Sequence, residues 1–102
     1  MNQAKQKQEA QDTVKVIAKI AKGECELFFP EYEVNRGRIA CWAFVGQHGE
    51  ADIDYYNQCR NPKNSAEEAL VKTAIKQYER GYNTTCIRVH RQSRKQREAA
   101  WV

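Results

Sequence analysis

Long apolar runs are missing from this sequence: the longest, Ile39–Val45, has seven residues, far below the roughly 20 that a membrane-crossing helix requires. Residues 1–11 have almost no apolar content and so lack the core of a secretory signal. Glycine is scarce (five) and proline scarcer (two), and no glycine-rich phosphate loop occurs. No Ser-His-Asp or Cys-His spacing of a nucleophilic site stands out. Cys25, Cys41, Cys59 and Cys86 are widely spaced, with no Cys-x-x-Cys pair, so the usual zinc-site signature is missing. Their even number permits disulfides; reduced, mostly buried thiols are the preferred reading, because free cysteine behaves as a small hydrophobe. Together these absences lead to the expectation of a soluble cytoplasmic chain with no membrane partner and no cofactor.

What is present suits one packed domain. The 102 residues are 41% hydrophobic and 29% charged, enough for one modest core and not for two. Two Trp, five Tyr and three Phe supply bulk for that core. The net charge of +4 is unevenly spread. Residues 1–22 carry Lys5, Lys7, Lys15, Lys19 and Lys22 against Glu9 and Asp12. Residues 24–68 hold nine carboxylates against four cations, and residues 88–97 hold Arg88, Arg91, Arg94, Lys95 and Arg97 with no acid. Basic ends around an acidic middle suit a polyanionic partner or a solvated tail.

Periodicity divides the chain into a flexible segment over 1–12, a single α+β domain over 13–93 and a basic tail over 94–102. Val14, Ile17, Ala18 and Ala21 recur at helical spacing after Asp12 and Thr13, which predicts a first helix stopped by Gly23. Cys25, Leu27 and Phe29 alternate with polar residues before Pro30 and predict a strand. Asn35-Arg36-Gly37 reads as a turn. Arg38–Val45 is apolar on both faces, as in a central strand. Residues 46–49 then form a hairpin loop, and Ala51, Ile53 and Tyr55 alternate with Asp52, Asp54 and Tyr56 as a third strand. Ser65 and Glu68 suggest a capping box for a helix with the stripe Leu70, Val71, Ala74, Ile75 and Tyr78, ended by Gly81. Thr85, Ile87 and Val89 predict the last strand. The expected architecture is therefore an N-terminal helix, a three-stranded antiparallel meander, a crossover helix that lets the third and last strands lie parallel, and a final strand.

This order, with Arg38–Val45 as an apolar strand, Lys63-Asn64-Ser65-Ala66-Glu67 opening a helix and a last strand ending His90-Arg91-Gln92-Ser93, resembles the first half of a ribonuclease H-like domain over about residues 24–93. The resemblance implies metal-binding carboxylates that activate water at a phosphate. It places Glu31 at the family's first aspartate and Glu67 at its helix glutamate. Gln92 stands where a carboxylate is expected, and an amide is a poor substitute as a ligand; Glu31-Tyr32 replaces Asp-Gly. The resemblance thus implies a shortened, degenerate version without catalytic residues, with Glu31 and Glu67 as the metal candidates. Helix, three strands and helix is also the order of double-stranded RNA-binding domains, but the position of that family's lysine cluster reads Asn64-Ser65-Ala66-Glu67-Glu68, which is acidic.

Three functions follow as expectations. The first is a non-catalytic nucleic-acid-binding module, for RNA or DNA, using Arg88, Arg91, Arg94, Lys95, Arg97, Lys15 and Lys19. The second is a small accessory protein of phage or plasmid type that inhibits a protein or nucleoprotein complex. The third is a metal-dependent nuclease. Among the remaining residues, Asp52 and Asp54 share a strand face and read as solvated. His48 has no partner in the sequence, and His90 lies on a polar face. Tyr32, Tyr55, Tyr56, Tyr78 and Tyr82 suit base stacking or a half-buried place in the sheet and helix.

Overall fold

The computed structural model describes residues 12–43 and 47–90. The order of elements is β1 (Asp12–Ala21), β2 (Glu24–Phe29), β3 (Arg38–Ala43), β4 (Gln47–Asp52), α1 (Ile53–Gln58), α2 (Ser65–Tyr82) and β5 (Thr84–Val89). Among the described residues the fold is α+β, a five-stranded mixed sheet with two helices. Strand order is β4-β3-β2-β1-β5. Neighbours are antiparallel except β1 and β5, which run parallel with Asp12 opposite Thr84 and Ile17 opposite Val89.

Where a helix was expected at the N-terminal end of the domain, the chain forms β1. Val14, Val16, Ala18 and Ile20 point to one face of the sheet and are buried there against α2, while Ile17 is buried on the other face against α1. A strand covered on both sides carries apolar residues in both periodicities, so its pattern imitates a helical stripe. Three of its core residues, Val16, Ile17 and Ile20, are β-branched, which favours the strand. Lys22 and Gly23 both have positive φ, 53° and 81°, and Ala21 pairs with Glu24. They make the two-residue primed turn that suits a hairpin. Gly23 therefore closes a β-hairpin and does not end a helix.

The meander has four strands, β1 to β4. The expected third strand over 51–56 is divided: β4 ends at Asp52, and Ile53–Gln58 forms α1, which buries Ile53 and Tyr56. His48 lies on β4, opposite Trp42, and not in a loop. Residues 44–46, including Phe44 and Val45 of the expected central strand, lie outside the described residues. So do the expected flexible segment, apart from Asp12, and the basic tail.

After α1 the chain crosses to the far end of β1, where Arg60 pairs with Ile20 (Ile20 N to Arg60 O, 2.7 Å). This crossing carries the chain from one face of the sheet to the other, so α2 starts beside the end of β1. β5 consequently lies next to and parallel to β1 and runs antiparallel in direction to β4, which occupies the place of the expected third strand that was to lie parallel to it. The helix cap is also shifted by one residue. Asn64 is the N-cap, its side chain accepting from Glu67 N at 2.9 Å, while the Glu67 carboxylate accepts from Lys63 N at 3.0 Å. At the other end α2 continues through Gly81 to Tyr82 and stops at Asn83, whose φ of 50° is left-handed.

Two cores result. Under α2, the residues Val71, Ala74 and Tyr78 pack on Val16, Leu27, Phe29 and Trp42, and on the opposite face α1 covers Ile17, Phe28 and Ile39.

Candidate functional site

The sheet distributes the expected basic residues over two faces. Lys15 and Lys19 stand four residues apart on the α1 face of β1. Lys15 Nζ lies 3.3 Å from Glu31. Lys19 Nζ donates to Asn61 Oδ1 at 3.0 Å and sits 5.2 Å from the centre of the Tyr56 ring. Arg88 is opposite Val16 in the register and therefore on the α2 face. It is bonded to Glu68 through both Nη1 (2.7 Å) and Nη2 (3.4 Å), and this contact first of all holds the Glu68 carboxyl below its ordinary value. Arg91, Arg94, Lys95 and Arg97 lie outside the described residues. β5 enters that segment from Val89, opposite Ile17, at the end of the sheet that displays Lys19.

The two carboxylates assigned by resemblance are not brought together. Glu31 is paired with Lys15. Glu67 is gripped by Arg60, Nη1 to Oε1 at 2.7 Å and Nη2 to Oε2. That guanidinium, followed by the Lys63 backbone N–H, holds the Glu67 carboxyl at about 2. Asp52 is paired with Arg38 at 3.2 Å. Among the described residues no group of three or more His, Cys, Asp or Glu could hold a metal ion.

Sequence reasoning named Tyr32, Tyr78 and Tyr82 as stacking candidates and left His48 without a partner; among the described residues the structure brings these four together. Tyr78, buried on α2, has its hydroxyl 3.3 Å from the Tyr32 hydroxyl and 3.1 Å from His48 Nε2. Burial, then the bond to Tyr32, pushes the Tyr78 phenol up. Around it the rings gather from β2, the turn after it, β4 and α2. Tyr32 stacks on Phe29 at 5.0 Å and 12°. Tyr82 stacks on Tyr78 at 4.5 Å and 30°, and His48 meets the Tyr82 ring edge-on at 5.0 Å. Tyr32 and Tyr82 remain 41% and 43% exposed, and His48 is exposed as well. The i, i+4 spacing of Tyr78 and Tyr82 was the one signal available in the sequence; the links to Tyr32 and His48 span 46 and 30 residues.

The other tyrosines are structural. Tyr56 is buried edge-to-face on Phe28 at 5.0 Å, and the Tyr55 hydroxyl donates to Glu26. Beyond Tyr82, the last turn of α2 and the start of β5 form a cleft of about 470 Å³ lined by Lys76, Glu79, Arg80, Asn83, Thr84 and Thr85. Glu79 is turned into the edge of β5, where it accepts from Cys86 N at 2.7 Å.

No protein-family model, curated protein or solved structure matches this chain.

Proposed function

We propose that the chain is a non-catalytic nucleic-acid-binding module, a shortened ribonuclease H-like domain that holds its ligand by phosphate contacts. The observation that carries this reading is the run Arg91, Arg94, Lys95 and Arg97 without an acid, entered from the sheet end that displays Lys19. Cations on such a run release counterions from a polyanion and bind it with little sequence preference. The kinship rests on the order of antiparallel strands, helix and last strand over residues 24–93; the parallel neighbour of β5 is β1, outside that span. Glu31 pairs with Lys15 and Glu67 with Arg60, so the two carboxylates that the resemblance assigns to a metal are held by separate cations. Arg88 is withdrawn from the set of contacts because Glu68 holds it.

The test replaces Arg91, Arg94, Lys95 and Arg97 with Gln and measures binding to mixed-sequence DNA and RNA at several salt concentrations. Wild-type affinity falls steeply with salt, by about 0.9 in log–log slope per phosphate contact, and the variant loses most of that slope. Salt-independent binding or none by the wild type removes the reading and leaves an acidic protein surface as the partner.

A further inference from the structure

We infer that the tyrosine–histidine cluster at the end of α2 is a stacking platform for an unpaired nucleobase. This rests on the nucleic-acid reading above and assigns it a place and a strandedness.

The geometry of the rings is the first argument. Tyr32 and Tyr82 each have a buried ring behind them, Phe29 and Tyr78. In each case one face is supported by the core while the residue stays more than two-fifths exposed. A third flat group, His48, stands 5.0 Å from Tyr82 and 6.3 Å from Tyr32. The Tyr78 hydroxyl ties both Tyr32 and His48 from beneath. Rings fixed in this way lose little freedom when a planar ligand settles on them, which is what makes preorganised aromatic sites effective. Base-on-tyrosine stacking needs a bare π-face and is tolerant of base identity. A duplex keeps its faces internal, so the platform accepts unpaired bases.

Charge is the second argument. Lys76 and Arg80 are exposed on α2 in the two turns before Tyr82, and the chain carries a net +4, so a polyanionic strand is drawn toward this end of the helix. The negative end of the helix dipole opposes an anion there only weakly, since the effect is small at an exposed end and falls off within a turn.

The experiment compares three proteins: wild type, Tyr32→Leu/Tyr82→Leu and Tyr32→Phe/Tyr82→Phe. The probes are fluorescent oligothymidylate, oligouridylate and a DNA duplex at one fixed low salt, and far-UV circular dichroism verifies that each variant is folded. Wild type binds the single strands more tightly than the duplex. The Leu pair loses between about fivefold and a hundredfold on single strands and nothing on duplex, while the Phe pair, which keeps the rings and loses the Tyr32 tie to Tyr78, stays closer to wild type than the Leu pair. A 2-aminopurine base in the single strand is quenched by wild type and not by the Leu pair. Equal binding of single strand and duplex by wild type and the Leu pair overturns the platform while leaving the basic-segment reading standing. No binding to any probe overturns both.

Discussion

Arg60 serves two purposes at one position: its backbone pairs with Ile20 in both directions, at 2.7 and 3.1 Å, and its guanidinium grips Glu67. The Glu67 side chain is only 14% exposed against 46% for Arg60, so solvent screens the pair from the arginine side. Since the folded-state pKa of Glu67 is depressed from 4.5 to about 2, its contribution to stability is present above the ordinary value and is lost as the pH falls through that window. An NMR titration of the carboxyl should show a midpoint at about 2, and Arg60→Gln should return it toward 4.5. A wild-type midpoint at the ordinary value would mean that the pair is open in solution. Arg88 allows a second measurement at this scale. Its ion pair with Glu68 links β5 to α2. Arg88→Gln should therefore lower the urea midpoint and leave nucleic-acid affinity unchanged, opposite to the effect of the four-residue change in the basic segment.

Among the elements, α2 and β5 were readable and β1 and α1 were not, for reasons visible in their residues. Val71, Ala74 and Tyr78 face one core, so α2 has a single apolar stripe. β1 has two cores to serve, and its residues satisfy period 2 and period 3.6 together. In α1, Ile53 and Tyr56 are the buried pair, three residues apart as on a helix; over so few residues the alternation of Ala51, Ile53 and Tyr55 with Asp52 and Asp54 outweighed that signal and read as a strand. Cap chemistry was legible only to within a residue: Ser65 was the expected cap, and Asn64 performs the task. Asn64→Ala should cost about 1 kcal/mol in urea unfolding, whereas Ser65→Ala should be close to neutral, because its hydroxyl is not the capping acceptor. Equal losses from the two changes would return the cap to Ser65.

At the scale of the molecule, the sheet lies between a long helix on one face and a short one on the other, and all four cysteines are distributed around it as free thiols. Burial pushes the Cys25 thiol up to about 12 and that of Cys86 to about 11, and raises Cys41 and Cys59 as well. A neutral thiol is a poor nucleophile, so an aromatic disulfide reagent at pH 8 should react slowly with the native protein and rapidly with all four thiols in denaturant. The sign with pH is opposite to that of Glu67. For Cys25 the folded-state value lies above the ordinary 9.0, so stability is fully present below that pH and is lost as the pH rises toward about 12. Rapid labelling of the native protein would show that the cores open readily.

The sequence by itself determined that the chain is an α+β domain with one crossover helix and a last strand, where the apolar stripe of α2 lies between Ser65 and Gly81, and it determined the spread of charge. These follow from local periodicity and covalent order. Only the tertiary structure decided that residues 12–21 are a strand, that Arg88 faces Glu68 while Lys15 and Lys19 look the other way, and that Tyr32, His48, Tyr78 and Tyr82 meet. Whether a residue faces a core depends on which faces of the sheet are covered. That is settled by helices elsewhere in the chain, and contacts between side chains 30 or 46 residues apart leave no trace in local spacing.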